Sequence, residues 1–436
     1  MFRYYLWLAV RSLRRNPVLT ALMVTAIGLG IGASMTTLTM FRAMSGDPIP
    51  DKSSRLFAPQ IDNWGPDHRE KAGEPPQVQL SYTDAHALLE AHRGLRQTAM
   101  YATAFALTPA DPQMRPFHAT GRAAYADFFA MFEAPFRWGG PWGKAEDDGR
   151  ADVVVISKPL NDKLFGGGNS VGKTLRLEQR DYRIVGVLDH WQPQPRVYDV
   201  VNSTFGDTED VFLPFTTAID EQLAYHGNNS CIAASTAGWE GHLRSECTWT
   251  QFWVELASAD DAPAYRRFLD DYAAEQQRNG RFHWAPLTRL SNVAQWMKLN
   301  HVVSDESRIM VAVSFGFLFV CLVNAVGLML AKFMSRAGET GVRRALGATR
   351  RAIFLQCLVE TGVIGLGGAA LGLALTALGL AGMRASFSED LVHLLQLDPV
   401  DVALAVLLAV SSALLAGLYP NWRATQVQPA WQLKSN

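Results

Sequence analysis

The chain is poor in the residues that build most chemical centres. Its 436 residues include four cysteines. None forms a C-x-x-C pair, and no His/Cys cluster has metal-ligand spacing, so no metal site is indicated. Lys and Arg number 40 against 41 Asp and Glu, for a formal net charge of −1. No basic stripe is present, and nucleic acid is not an expected partner. There is no low-complexity tract and no Ser/His/Asp constellation for nucleophilic catalysis.

Near-neutral mean hydropathy conceals two populations, very apolar runs at both ends and a polar middle. Val18–Phe41, Ile309–Ala331, Ala352–Met383 and Val402–Tyr419 are each long enough to cross a bilayer. Before the first run, Arg3, Arg11, Arg14 and Arg15 are interleaved with Tyr4, Tyr5, Leu6, Trp7, Leu8 and Val10. This pattern suits an amphipathic helix at the membrane interface, ended by Asn16-Pro17. The following run is longer than a signal-peptide core and no clear cleavage site follows, so an uncleaved span is expected. Arginine before it places the amino terminus inside and the polar middle outside. The expected fold is an α-helical membrane protein with four transmembrane helices, plus a large α+β extracytoplasmic domain inserted between helices 1 and 2.

The expected segments are an interfacial helix over 1–17, the first span over 18–44 and the outer domain over 45–290. A stalk continuous with the second span covers 291–333. A cytoplasmic helix follows over 334–351, then the third span over 352–383, an outer loop over 384–401, the fourth span over 402–420 and a cytoplasmic tail over 421–436. Leu290–Arg308 is read as a rigid helical extension of the second span.

The most informative stretch is Ser335–Arg351, SRAGETGVRRALGATRR. It is short, basic and set between two spans, which places it in the cytoplasm. Glu339 and Arg343 are four apart and can pair along one helical face. Val342, Ala345, Leu346 and Ala348 supply an apolar side. From the residues alone, a helix resting on lipid and a helix docking a cytoplasmic partner are equally open.

Within the spans, Asn324 should face the helix bundle. Glu360 is an intramembrane acid with two readings, a functional group or a structural one that snorkels or pairs with Arg351 or Arg343. Gly368 and Gly372 are four apart, a small-xxx-small pattern for close helix contact. In the outer domain, Cys231 and Cys247 are either bridged, as an oxidising compartment permits, or free. The tryptophans around them serve a core or a contact surface.

Gly167–Thr174 matches G-x-x-x-x-G-K-[ST], the phosphate-cradling loop. That chemistry needs a strand directly before the loop and a helix directly after it. Here Lys158–Phe165 intervenes and a hairpin follows, so a structural turn is expected.

Glu339-Thr340-Gly341-Val342-Arg343-Arg344-Ala345-Leu346-Gly347-Ala348 resembles the coupling-helix signature of MacB/FtsX-type ABC transporter permeases, with Thr340 replacing the usual aliphatic residue. VVVIS, LFGG, VGKTLRL and YRIVGVL in the middle resemble the extracytoplasmic domain of MacB-type permeases. Gly417, Pro420, Arg423-Ala424 and Pro429-Ala430 resemble the family's carboxy-terminal pattern. Trp431-Gln432-Leu433 replaces the usual Glu-Ala-Leu. An acid at the position of Glu360 also recurs in the family.

The resemblance implies a non-catalytic permease subunit coupling ATP hydrolysis in a separate ABC ATPase to movement of the outer domain, for export or efflux. Glu339, Gly341, Arg343, Arg344, Ala345, Leu346 and Gly347 would contact that ATPase. No cofactor is expected in this chain, and ATP and Mg belong to the ATPase. Further implied partners are membrane lipid, a second permease in a homodimer or heterodimer, and in some systems a periplasmic membrane-fusion adaptor. An FtsX-like signalling subunit regulating an envelope hydrolase and a lipoprotein-releasing permease are the alternatives.

Overall fold

The computed structural model describes residues 2–68, 75–386 and 398–426. The chain divides into two compact units, Met1–Ser45 with Val303–Asn436, and Gly46–Val302. In chain order, α1 (Phe2–Arg15) ends at Asn16, and α2 (Pro17–Ser45) opens on a proline, whose missing N–H costs nothing at the first helical position.

The second unit carries β1 (Leu56–Ile61), β2 (Leu80–Ser81), α3 (Tyr82–Glu90), β3 (Arg96–Thr108), β4 (Phe117–Ala124), α4 (Asp127–Met131), β5 (Phe136–Gly139) and α5 (Lys144–Asp148). It continues with β6 (Val153–Ile156), α6 (Lys158–Phe165), β7 (Thr174–Leu177), β8 (Arg180–Leu188), β9 (Val211–Pro214), α7 (Phe215–Asp220) and α8 (Trp239–Leu243). It closes with β10 (Thr248–Glu255), α9 (Ala262–Arg278), β11 (Thr288–Asn292) and α10 (Val293–Leu299). Among the described residues the strands form one eleven-stranded sheet with the main order β11-β1-β10-β3-β4-β9-β6-β8-β5. β4 with β9 and β6 with β8 are parallel, and the other pairs are antiparallel.

Both faces of this sheet are covered. Alternate residues of a strand enter opposite cores. Val154 and Ile156 join the cluster containing Leu88, Trp249 and Leu269, whereas Val153 and Val155 join the one containing Phe128, Trp253 and Trp296. A strand buried on both sides reads as an unbroken apolar run, which is why Asp152–Ser157 is legible as DVVVIS. Trp249 and Trp253 are fully buried, so these aromatics belong to the core. Cys231 and Cys247 are joined in a disulfide.

A charged cluster lies within this unit. Arg122 on β4 is 0 % exposed, and its guanidinium donates to Asp199 and Glu209. Arg196 also donates to Glu209, and Gln251 Nε2 donates to Asp199 Oδ1 at 2.8 Å. Burial opposes ionisation of Glu209, but Arg122 and Arg196 outweigh it and hold its carboxyl below the usual carboxylate value.

Two expectations about this region fail. Pro48–Pro76, whose prolines and polar residues read as an irregular entry to the domain, contains β1, a fully buried strand. Leu290–Arg308 is not a continuous stalk. It holds part of β11, then α10, then a break before the next helix. Asn292 caps α10 by accepting from Gln295 N, His301 takes a positive φ of 49°, and Ser304 caps the following helix by accepting from Ser307 N. Two N-cap residues twelve apart interrupt a helix that composition alone permits. Val293 and Trp296 are buried in the sheet's second core.

The remaining helices are α11 (Asp305–Met334), α12 (Ala337–Ala345), α13 (Arg350–Ser386) and α14 (Pro399–Thr425). α2, α11, α13 and α14 are long and apolar enough to cross a membrane. α2 packs on α11 and α13, and α14 packs on both of those helices. The expected loop over 384–401 is shortened from both ends, and its middle lies outside the described residues, as do Pro429-Ala430 and Trp431-Gln432-Leu433 of the tail.

Candidate functional site

The spans meet through glycine. A Cβ at Gly368 would stand 2.6 Å from Ile27 Cγ2, and one at Gly372 would stand 2.7 Å from Ile31 Cγ2. Reciprocally, a Cβ at Gly28 or Gly32 of α2 would stand 2.8 Å from a leucine side chain of α13. Two facing small-xxx-small ridges let the backbones approach closely. The α2 pair is readable as GLGIG, although it carries less signal than the glycine-rich third span. Ser34 Oγ donates to the Ser314 carbonyl at 3.0 Å, and Thr37 Oγ1 to Ser314 Oγ at 2.7 Å, adding polar contacts between α2 and α11.

Asn324 does not face the helix bundle. Buried positions on α11 are Ser314, Leu318, Cys321, Ala325, Met329 and Lys332, a single stripe at helical spacing. Asn324 falls off that stripe and is exposed, on the side that also presents Met310, Val313, Phe317 and Val320.

Glu360 is 5 % exposed, and its partners differ from those expected. Instead of Arg351 or Arg343, it accepts from Lys332 Nζ at the end of α11 and from Ser12 Oγ of α1 at 2.6 Å. Arg336, the N-cap of α12, stands 3.5 Å from the same carboxylate oxygen and donates to the Ser12 carbonyl at 2.5 Å. One acid thus ties α1, α11 and the start of α12 to α13.

α12 is anchored by its charges. Arg343 donates to Glu339 at 2.6 Å and to Gln356 Oε1 of α13 at 3.1 Å. Arg15 of α1 donates to Glu339 at 3.2 Å, and Arg344 to the Thr425 carbonyl of α14 at 3.3 Å. Gly341 is buried. Gly347 follows the helix with φ 101°, the left-handed conformation that favours glycine at a helix C-terminus. Its N–H bonds to the Arg344 carbonyl at 3.1 Å, and Ala348 N to the Arg343 carbonyl at 3.0 Å.

The apolar residues Val342 and Leu346, three and seven positions after Glu339, flank this anchored face. Val342 is 53 % exposed and Leu346 83 %, with Ala345 exposed between them. Pairing at Glu339 and Arg343 is legible from their spacing. The outward direction of the apolar face is not, because it depends on contacts from α1, α13 and α14.

The glycine loop is organised by its own side chains. Gly166 caps α6 at φ 63°, Asn161 Nδ2 donates to the Gly168 carbonyl, and Asn161 Oδ1 accepts from Ser170 Oγ. Strand β7 begins at Thr174 and pairs with β8. Lys173 Nζ lies 4.8 Å from the Phe165 ring centroid. With no helix after the loop, no helix N-terminus is aimed at a phosphate.

Four apolar helices, a large domain inserted after the first and a short charge-anchored helix between the second and third define a multi-pass permease. Residues 20–272 match the MacB-like periplasmic core domain, and residues 311–429 match the FtsX-like permease C-terminal domain. The chain belongs to the MacB/FtsX-like family of ABC transporter permeases, as an inner-membrane protein with a periplasmic domain.

It is similar to the macrolide export ATP-binding/permease protein MacB of Chlorobium luteolum, at 24 % identity over 65 % of this chain and 38 % of that protein. It is also similar to MacB of Pasteurella multocida, at 23 % identity over 94 % of this chain and 55 % of that protein. The chain spans about half the length, or less, of these curated relatives. The crystal structure of the periplasmic region of MacB from Actinobacillus actinomycetemcomitans aligns at 15 % identity and a TM-score of 0.36, over 56 % of this chain and 92 % of that one.

Proposed function

We propose that the chain is the permease component of a MacB-like export system in which α12 receives the motion of an ABC ATPase and passes it through the spans to the periplasmic domain. The observation that carries this reading is the exposure of Val342 and Leu346 on α12, a helix held in place by Glu339, Arg343 and Arg344. A helix designed only to rest against its own bundle would bury those side chains. The size of the domain matching the MacB-like core favours this reading over an FtsX-like regulator of a hydrolase. ATP and Mg belong to the ATPase, and the substrate class follows the export named for the relatives.

Leu346→Asp tests the reading. The side chain is already exposed, so membrane insertion and folding stay intact, while a charge enters the centre of a docking face. Loss of a central apolar anchor costs about 2 kcal/mol or more, so co-recovery of the ATPase is expected to fall by about thirtyfold. Wild-type recovery together with wild-type stimulated turnover would remove α12 as the coupling element.

The exposed face of α11 is proposed to meet a second permease. An amide inside an apolar helix surface gains most by hydrogen bonding across a helix interface, and Asn324 has that position. Asn324→Cys is expected to give disulfide-linked dimers in oxidised membranes, and Phe319→Cys, exposed on a different side of α11, to give few. Equal linking at both positions would count against this interface.

A further inference from the structure

A cavity of about 460 Å³ opens among α1, α11, α12 and α13. Arg11, Arg15, Arg336 and Arg343 line it, against the two acids Glu339 and Glu360. Each acid is shared by two cations. Glu339 serves Arg15 and Arg343, and Glu360 serves Lys332 and Arg336. The lining therefore keeps an excess of positive charge after its internal ion pairs are made.

The cavity's place in the fold determines what can supply the missing anion. α1 runs directly into the first span, and α12 joins the cytoplasmic ends of the second and third, so the cavity opens at headgroup depth. Its walls include the apolar side chains of Leu8 and Phe333. On α1, the Arg11 guanidinium lies 5.2 Å from the Trp7 ring centroid, and Tyr4 and Trp7 are more than half exposed. Amphipathic aromatics of this kind settle at the membrane–water interface.

We propose that this cavity is a binding site for the phosphate of an anionic phospholipid headgroup. Arginine forks match phosphate oxygens in geometry and charge, and basic pockets between transmembrane helices on the cytoplasmic side hold anionic headgroups. The apolar wall receives the start of the acyl chains, which a soluble phosphate lacks. Arg11 and Arg15, on α1, are the outer contacts, and Arg336 and Arg343 form the inner wall. A lipid seated there bridges α1 to α12 and leaves Val342 and Leu346, which do not line the cavity, exposed. The lining residues and the exposed apolar residues proposed to dock the ATPase are different side chains.

The test is native mass spectrometry of the full chain in detergent, titrated with phosphatidylglycerol or phosphatidylcholine of matched acyl chains. Wild type is expected to retain phosphatidylglycerol preferentially. An anionic surface attracts each nearby arginine appreciably, so Arg11→Gln with Arg15→Gln is expected to weaken retention by about tenfold or more. Arg11→Lys with Arg15→Lys keeps the charges and most of the binding, which also shows that α1 tolerates substitution. Arg14→Gln with Arg351→Gln makes the same charge change outside the cavity and is expected to leave retention unchanged.

Equal loss in that control would mean diffuse attraction to a basic surface and overturn the site. Absence of a preference for phosphatidylglycerol in wild type would do the same. Displacement of phosphatidylglycerol by millimolar inorganic phosphate would assign the cavity to a soluble anion and overturn the lipid. Exclusion of phosphatidylglycerol by a bound ATPase would assign it to the partner protein.

Discussion

Glu360→Ala is expected to destabilise the membrane unit by about 3–5 kcal/mol, the range for removing one partner of a buried ion pair. The carboxylate compensates Lys332, which is 2 % exposed, and accepts from Ser12 Oγ at 2.6 Å. Its loss leaves a buried ammonium with no counter-charge near the end of a span, where ionised groups are expensive. Ser12 and Arg336 lose a shared acceptor at the same time, so α1 and the start of α12 should loosen together. Glu360→Gln keeps an acceptor and should cost less. Glu360→Met with Lys332→Met removes both charges and should recover much of the loss, because exchanging a buried pair for apolar residues is often neutral. Thermal unfolding of the purified chain, followed by size-exclusion monodispersity, reads all three. A single alanine variant as stable as wild type would show that the pair contributes little.

Arg122→Ala is expected to cost the periplasmic domain a similar about 3–5 kcal/mol. The arginine is fully buried, and its removal leaves Asp199 and Glu209, 1 % and 4 % exposed, with Arg196 as their remaining arginine partner. Domains of ordinary stability have about 5–15 kcal/mol in total, so the variant sits near the threshold of folding. Arg176→Ala is the comparison. Its pair with Asp181 is 3.7 Å long and more than half exposed on both sides, and such surface pairs contribute about 0–1 kcal/mol. Denaturant unfolding followed by tryptophan emission should show a large midpoint shift for the first variant and little for the second. Equal midpoints would mean that the buried cluster does not hold the sheet together.

The membrane architecture was legible because apolar length is a direct requirement of the bilayer, and α2, α11, α13 and α14 each contain the run that announces them. Gly166–Thr174 was legible as a turn because a phosphate loop needs a helix after it and the alternation after Lys173 is that of strands. β1 was hidden by Pro59 and by a proline-rich neighbourhood, signals that normally demote a strand. β3 and β4 were missed because their alanines and threonines, as in ATAFALT, carry weak strand patterning. The partners of Glu360 were beyond reach for a different reason. Spacing along the chain favours Arg351 and Arg343, while Lys332 and Ser12 arrive only when three helices pack. Asn324 shows the same limit, since polarity says that a group needs a partner but not which face of α11 its neighbours occupy. The residues of α12 were readable by their pattern, and the direction of its apolar face was not.

The exposed apolar residues of α12 are proposed to meet an ATPase. The most direct measurement of that contact is site-specific photocrosslinking from Val342 in native membranes, with Trp7 on α1 as the control position. The expected result is an adduct between Val342 and an ABC ATPase, diminished when Leu346 is changed to Asp, and lipid adducts alone from Trp7. Lipid adducts alone from both positions, with the ATPase present at normal levels, would leave α12 as an interfacial helix with no ATPase contact.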